Sequence, residues 1–339
     1  MRRWVNRPEG SNWGDFGDED EIGRLNLLTT EKVKQGIAEV THGKVFCLSL
    51  PLDYPGGRLL APHRFPPQLI STERKGMSYF HYAFSNEGIQ YHDCGCDDAV
   101  TLCTQYSTQW DSLAHVGYLF DADGDGDPEL VYYNGYKAGE HVRSPEDRRD
   151  SKNSSTSALG IEKMATNCVQ GRGVMVDLEA HFGRKYHLVS YSDLRRVIEL
   201  DRVVVEHGDI LCLHTGFATL VLKMQRNPDV DVLRHSCAAL DGTDQDLLEW
   251  ITDSGIAAIA ADNYAVEAVP GRNFSGACAF VPLHVHCLFK LGIHLGELWY
   301  FSELNAWLHQ HGRSRFLLTA PPLRLPGAVG SPVTPVASV

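Results

Sequence analysis

Apolar and polar positions along the chain predict a mixture of strands and helices. Continuous apolar runs indicate buried strands at residues 45–50, 173–177, 210–216 and 255–261. Residues 77–84 and 315–319 also have the character of strands. Apolar residues at helical spacing predict helices at residues 30–38, 159–169, 192–200, 243–253, 283–291 and 302–311. Thr30, Ser192 and Thr243 are the predicted N-cap residues of three of these helices. Because strands and helices do not alternate strictly, the pattern predicts an α/β fold in one domain, residues 1–339.

Three segments lack this periodicity. Residues 1–29 are rich in Gly, Asp and Asn and are predicted to form an ordered N-terminal arm. Residues 53–76 contain several Pro and Gly residues and predict a long surface loop. Residues 320–339, also rich in Pro and Gly, predict an irregular C-terminal tail.

A row of polar residues stands out between residues 105 and 115. Gln105, Ser107, Gln109 and Asp111 recur at every second position, and His115 follows four residues after the Asp. If the segment is a strand, the four polar side chains share one face. They would then form either the wet face of an amphipathic edge strand or an oxygen-and-nitrogen site for a metal or for acid–base chemistry.

A second group of candidates lies between residues 282 and 297. Apolar residues at helical spacing place His284 and His286 on one helix, with Glu297 further along. Side chains two positions apart on a helix point about 200° away from each other. At most one of these His side chains can therefore face a given site. Asp262 and Asn263 end a buried strand, where α/β proteins place functional residues, although an Asx turn explains Asn263 equally simply.

An acidic segment offers a possible calcium site. Asp121, Asp123 and Asp125 alternate and are followed by Gly126, which matches the first half of a calcium loop. The Glu expected at the twelfth position is replaced by Tyr132, and Glu129 is only a partial substitute. A solvated acidic turn is the simpler interpretation.

Composition excludes several classes of function. The net charge is −12 without a basic run, which argues against nucleic acid and anionic membranes as partners. Nine Cys residues spread through a long chain favour reduced thiols and a cytoplasmic location. The sequence contains no Gly-x-Ser-x-Gly elbow, phosphate-binding loop or dinucleotide fingerprint.

The polar row resembles the signature His-x-Gly-Thr-His-x-Asp-x-x-x-His of the cyclase-like metal-dependent hydrolases, a family that includes bacterial kynurenine formamidase and isatin hydrolase. The same frame here runs from Gln105 to His115. Further segments resemble a large branch of that family; these are residues 12–14, 23–29, 133–135, 171–174, 208–217, 262–267, 282–297 and 330–335.

The resemblance implies a swivelling β/β/α-type fold with a central, partly barrel-like mixed sheet flanked by helices, assembled as a homodimer or homotetramer. It implies that Asp111 and Glu297 bind metal together with His284 or His286, and that His115 transfers protons. Two metal-binding His residues of the signature are Gln105 and Gln109 in this chain. A carboxamide oxygen is a harder and weaker ligand than imidazole, so affinity for zinc should fall more than affinity for manganese, magnesium or calcium.

These observations predict a hydrolase for an amide, formamide or lactone of a small cyclic or aromatic substrate, with one divalent cation, Mn or Zn. Asp111, His115 and Glu297 are the predicted catalytic residues, and Trp13, Trp110 and Tyr264 the predicted substrate contacts. Two alternatives stay open. One is a metal-free cyclase or dehydratase that uses Asp111 and His115 as an acid–base pair. The other is a non-catalytic protein that binds a small molecule.

Overall fold

A computed structural model describes residues 2–58, 60–147, 154–269 and 278–339 of the chain. The helices are α1 Thr30–Ala38, α2 Ile161–Thr166, α3 Leu178–Phe182, α4 Tyr191–Leu200, α5 Phe217–Lys223, α6 Val230–Arg234, α7 Gln245–Ser254, α8 Pro282–His284 and α9 Ser302–Gln310. Helix α8 continues as a π-helical segment, Val285–Leu291, and short 3₁₀ helices span Gly23–Leu27, Phe84–Asn86, Tyr133–Gly135 and Pro145–Asp147.

The strands are β1 Val45–Cys47, β2 Gln68–Ser71, β3 Glu73–Arg74, β4 Met77–Ser78, β5 Tyr82–Ala83, β6 Cys94–Gly95, β7 Asp98–Thr101, β8 Gln109–Asp111, β9 Tyr118–Phe120, β10 Glu129–Val131, β11 Val142–Arg143, β12 Ser155–Thr156, β13 Gln170–Asp177, β14 His187–Val189, β15 Ile210–His214, β16 Ala238–Leu240, β17 Ala258–Ala261, β18 His294–Glu297, β19 Arg315–Thr319, β20 Gly330–Pro332 and β21 Val336–Ser338.

One mixed sheet of nine strands organises the fold, in the order β1-β21-β19-β13-β15-β17-β18-β8-β20. Strands β13, β15, β17 and β18 are parallel, and the strands on either side of this group join it antiparallel. The parallel strands are buried on both faces, as the continuous apolar runs of β13, β15 and β17 predict. Strand β18 is equally buried, but its sequence, His-Leu-Gly-Glu, has no such run and was not predicted as a strand. The predicted α/β class, a mixed sheet flanked by helices, is confirmed.

The two faces of the sheet contact different cores. Val176, Leu213 and Leu295 point into one apolar cluster, whereas Met175 and Cys212 point into the other. Successive side chains along a strand point to opposite faces of the sheet. Odd and even positions of each strand can therefore be assigned to one face or the other. It also separates the polar residues at the carboxyl ends of the parallel strands into two groups.

Several predicted boundaries need correction. The tail is not irregular, because β20 pairs with β8 and β21 pairs with both β1 and β19. Residues 53–76 are not one loop, since β2 and β3 lie within them. Helix α4 is capped by Ser190, whose side chain accepts from the Asp193 amide, and not by Ser192. Helix α1 is likewise capped by Thr29 and not by Thr30, and helix α7 by Asp244 and not by Thr243.

Candidate functional site

Only the second half of the polar row, from Gln109 onward, lies in the sheet. Strand β8 lies between β18 and β20, so it is an interior strand and not an exposed edge. Trp110 is fully buried on one face of the sheet, which leaves Gln109 and Asp111 on the other. Gln109 lies directly opposite Glu297 of β18, and its Nε2 donates to Glu297 Oε2 over 2.8 Å. The row is therefore an internal polar surface.

His284 reaches this surface from the first turn of the helical segment that α8 begins. Glu267 accepts the amide hydrogens of Leu283 and His284 at 3.0 and 2.9 Å, and so satisfies two donors that the helix leaves free. The same carboxylate contacts His284 Nδ1 at 2.7 Å. This contact turns the opposite ring nitrogen, Nε2, toward Glu297 Oε1 at 3.2 Å. A carboxylate behind an imidazole in this way is typical of histidines that ligate metals.

Gln105 links Asp111 to His115. It lies before β8, and its Nε2 donates in a short hydrogen bond to Asp111 Oδ1 and contacts His115 Nδ1 at 3.0 Å. The Gln105 amide nitrogen, which only donates, thus faces Asp111. Its second hydrogen then points at His115 Nδ1, so the neutral imidazole carries its own proton on Nε2. Asp111 and His115 act on each other through the Gln105 amide.

Buried charge perturbs the titration of the site. Burial, assisted by Asp111, raises the pKa of Glu297 to about 7. Burial alone would lower the pKa of His284, but the hydrogen bonds that the ring donates to Glu267 and Glu297, together with the charge of these groups, outweigh burial and raise that pKa to about 10. Burial lowers the pKa of His115. A proton bound to His284 therefore offsets part of the negative charge that the surrounding carboxyl groups bring to the site.

The same atoms fit a divalent cation. Asp111, His284 and Glu297 each offer a ligand atom, and these atoms lie within 4.8 Å of one another. Asp111 Oδ2 and Gln109 Oε1 are buried without a hydrogen-bond partner among the described residues. Buried oxygens without partners are costly, and a cation would satisfy both. Carboxylate and amide oxygens around one imidazole form a set that suits a hard cation better than a thiophilic one.

The remaining predicted ligand, His286, does not join this cluster. Its Nε2 contacts Thr252 Oγ1 at 2.9 Å on helix α7. The structure thus resolves the choice that helical geometry imposed: His284 faces the carboxylates, and His286 faces away from them.

Two predicted substrate contacts lie in the core. Trp110 donates from Nε1 to the Ala320 carbonyl on the opposite face of the sheet from Asp111. Trp13 is fully buried and packs edge-on against Phe289. Tyr264 is different, since it lines a cavity of about 860 Å³ that also reaches Glu267. Of the three aromatic residues, Tyr264 alone keeps its place as a candidate contact.

Two residues near the site were not singled out from the sequence. Glu267 stands at the end of the segment 262–267, but nothing in the local pattern links it to a His 17 positions later. Arg64 lies in the segment predicted as a loop, and its Nη1 donates to the Gln105 carbonyl at 2.5 Å. Arg64 therefore holds the backbone of the residue that bridges Asp111 and His115.

The acidic segment forms a separate cluster with a different membership from that predicted. Ligand atoms of Asp121, Asp123 and Glu129 lie within 4.8 Å of one another, and Asp125 is not among them. The Lys137 ammonium contacts Asp123 at 2.6 Å and Glu129 at 3.0 Å. Lys137 thus neutralises the cluster as a cation would, and calcium binding there stays a prediction without further support.

Comparison with known proteins identifies the class to which the chain belongs. The family model described as "Putative cyclase" matches residues 48–268. The chain belongs to this cyclase family, as its resemblance to the signature predicted. No curated protein sequence matches the chain.

Solved structures agree with this assignment. A crystal structure described as a novel cyclase has 28% identity and a TM-score of 0.75, with 97% of both chains covered. Isatin hydrolase A from Labrenzia aggregata, bound to benzyl benzoate, has 12% identity and a TM-score of 0.56, covering 91% of this chain and 97% of its own. Isatin hydrolase A from Ralstonia solanacearum has 14% identity and a TM-score of 0.53, covering 90% and 95%. The chain therefore shares the fold of isatin hydrolases.

Within the described residues, no helix combines the length and apolar character needed to cross a membrane.

Proposed function

We propose that this protein is a metal-dependent hydrolase that opens an amide, formamide or lactone bond of a small cyclic or aromatic substrate. The observation that carries the proposal is the buried cluster of Asp111, His284 and Glu297, with Glu267 behind the imidazole and two unpartnered oxygens beside it. The shared fold supports the reaction class. Isatin, a cyclic amide, is the substrate that the names of two of these structures give, which makes it the first compound to test.

Asp111, His284, Glu297 and the Gln109 carboxamide oxygen would hold one cation, with manganese favoured over zinc by the oxygen-rich set. When bound, such a cation polarises a carbonyl group and acidifies water. Glu267 fixes the ring of His284 and keeps Nε2 directed into the cluster. Gln105 and Gln109 hold the Asp111 carboxylate by donating to its Oδ1.

His115 is the proposed proton-transfer residue. Burial keeps its imidazole neutral near pH 7, which a general base requires. While Nδ1 accepts from Gln105, however, Nε2 carries the proton and can only donate. His115 accepts a proton at Nε2 only after Gln105 releases Nδ1 or the ring proton moves there. In this chain Gln105 therefore controls when His115 serves as base and when as donor.

Activity measurements test the proposal. We expect purified protein to open isatin or a related cyclic amide, to lose this activity after chelation and to regain it with Mn²⁺. Asp111→Asn should abolish turnover, whereas Asp123→Asn, which changes a surface carboxylate paired with Lys137, should leave it intact. Full activity in Asp111→Asn or His115→Ala would contradict the assigned roles.

One observation favours a second candidate, a metal-free cyclase or dehydratase. The amide groups of Gln105 and Gln109 donate hydrogen bonds to Asp111 Oδ1 and Glu297 Oε2. Imidazole ligands at these two positions would instead leave both carboxylate oxygens free to bind a metal. Asp111 and His115 would then exchange protons through Gln105. Elemental analysis of protein prepared without chelator separates the two, because undiminished activity without stoichiometric metal supports only the second. Tight binding of a small molecule without turnover would support a non-catalytic role instead.

A further inference from the structure

A second constellation of polar side chains lies at the carboxyl ends of β13 and β15. Asp177 and His214 are paired neighbours in the parallel ladder, and His214 Nδ1 contacts Asp177 Oδ1 at 2.9 Å. The other ring nitrogen, Nε2, contacts Ser302 Oγ at 3.2 Å. A hydroxyl, an imidazole and a carboxylate are thus joined in the order that nucleophilic hydrolases use.

The carboxylate of this group is firmly held. Asp177 Oδ2 accepts from Asn305 Nδ2 at 2.6 Å and contacts His309 Nε2 at 2.8 Å, while Oδ1 also accepts from the Ala180 amide. Its pKa is held well below the usual range, because hydrogen bonds and the charge of His214 outweigh the effect of burial. Asp177 therefore stays ionised and keeps the proton of neutral His214 on Nδ1. In the neutral ring, Nε2 can accept the proton of Ser302. Ser302 Oγ also contacts Thr219 Oγ1 at 2.6 Å, and a Thr219 hydroxyl that donates to Ser302 leaves the Ser302 hydrogen directed at His214.

Ser302 is accessible to a small molecule. Asp177, His214, Thr219, Tyr300 and Ser302 line an open cavity of about 370 Å³. Ser302 is also the first residue of α9, and the N-cap residue Phe301 supplies no side-chain hydrogen bond to that helix. The free amides of a helix N-terminus favour developing negative charge, as an oxyanion requires.

This group is separate from the Asp111 cluster. By strand parity, Asp177 and His214 lie on the face of Met175 and Cys212, whereas Glu297 lies on the face of Leu295. The sheet itself stands between the two groups. A change at Ser302 can therefore be studied independently of the proposed metal site.

We propose that Ser302, His214 and Asp177 form a second, metal-independent active site that hydrolyses small esters. Ser302 Oγ attacks the ester carbonyl carbon while its proton passes to His214 Nε2. The bond to the alcohol oxygen then breaks, and the leaving alcohol takes that proton. Water attacks the acyl-serine, gives a proton to Nε2, and the acid departs as Ser302 regains its hydrogen. The balance is ester plus water to acid plus alcohol.

The charges around His214 set the pH range of this site. Glu179 Oε2 lies 3.4 Å and Asp262 Oδ2 4.0 Å from Nε2, with Asp177 on the other nitrogen. The nearby Arg184 is paired with Glu179. Burial opposes the imidazolium, but these carboxylates outweigh it and raise the pKa of His214. Since only the neutral ring accepts a proton, the esterase activity should grow as the pH rises above neutrality.

A serine-reactive fluorophosphonate probe tests the proposal on the whole chain. We expect an adduct on Ser302, found by peptide mass spectrometry, whose rate of formation increases between pH 7 and pH 10. Ser302→Ala should remove it, and His214→Gln should slow it by at least roughly a hundredfold, the scale of general-base catalysis. Ser192→Ala, at another helix start, is the matched control and should leave labelling unchanged.

Turnover of p-nitrophenyl acetate gives a second readout. The expected rate survives chelation of metals and disappears in Ser302→Ala, a change that removes one hydroxyl from a helix start. This readout decides the question even if His214→Gln fails to fold. Absence of a Ser302 adduct up to pH 10, equal labelling in a folded His214→Gln protein, or unchanged turnover in Ser302→Ala would each overturn the proposal.

Discussion

Replacing Glu267 by Gln tests how the fold prepares the candidate metal site. The Glu267 side chain is fully buried. One of its oxygens faces both the backbone amide and Nδ1 of His284, and the other accepts from the Leu283 amide. Gln has almost the same shape but only one accepting oxygen. Whichever way the amide is turned, its NH₂ group must therefore face an N–H donor, either that of Leu283 or that of His284.

The expected magnitude follows from these contacts. A donor left without an acceptor in a buried site costs about 1–3 kcal/mol of folding free energy. Loss of the carboxylate behind a ligating imidazole lowers metal affinity about 10- to 100-fold, or about 1.4–2.7 kcal/mol. Since the Glu267 charge also helps to raise the pKa of His284, the variant should release the His284 proton at lower pH.

Calorimetric titration of chelator-treated protein with Mn²⁺ measures the effect. Glu267→Gln should weaken binding by at least tenfold while the protein remains folded. Glu21→Gln is a suitable control, because Glu21 also accepts from a backbone amide, that of Leu159, and pairs with Lys163 outside the site. Affinity of Glu267→Gln within twofold of wild type, or an equal loss in Glu21→Gln, would refute the reasoning.

Three further predictions concern proton transfer, acid stability and assembly. Removing the Gln105 donor from His115 Nδ1 in Gln105→Ala should raise the pKa of His115, and so move the acid limb of the pH–rate profile to higher pH. Burial lowers the pKa of His294 to about 3, below the unfolded value of about 6.5. As the pH falls, the unfolded chain therefore binds a proton at this His before the folded chain does. Urea unfolding should show that the free energy of unfolding decreases between pH 6.5 and pH 3, by up to about 1.4 kcal/mol per pH unit. His294→Leu should reduce this loss. Leu69 and Ile70 on β2 are 72% and 58% exposed. If this strand packs on a second copy of the chain, changing both residues to Lys should lower the molecular mass measured by light scattering. An unchanged mass would exclude that contact.

Sequence patterns predicted the long apolar strands of the sheet better than the short strands that pair with them. Strands such as β13 and β15 are apolar on both faces, and that composition alone distinguishes them. Strands β20 and β21 have three residues each and lie among Pro and Gly residues. Their place depends on pairing with β8 and β19, which are distant in sequence. Local propensity cannot report such contacts.

In the candidate site, too, local patterns predicted the residues within a strand, but not those whose contacts join separate segments. Period-two geometry placed Gln109 and Asp111 on one face correctly, since both lie in β8. The same rule puts Trp110 on the opposite face from Asp111, and this position gives no support to its predicted contact with substrate. Gln105 precedes the strand, and its role as a bridge to His115 comes from a turn. Glu267 depends on a contact between a loop and a helix, which no local periodicity encodes.

Titration of the chelator-treated protein with Mn²⁺, followed by electron paramagnetic resonance, tests the central claim most directly. The structure predicts one bound Mn²⁺ per chain in the wild type, no bound Mn²⁺ in Asp111→Asn and one in Asp123→Asn, where a surface carboxylate paired with Lys137 is changed instead. A wild-type protein that binds no Mn²⁺, or an Asp111→Asn variant that binds it as tightly as wild type, would contradict the claim that Asp111, His284 and Glu297 hold a catalytic cation.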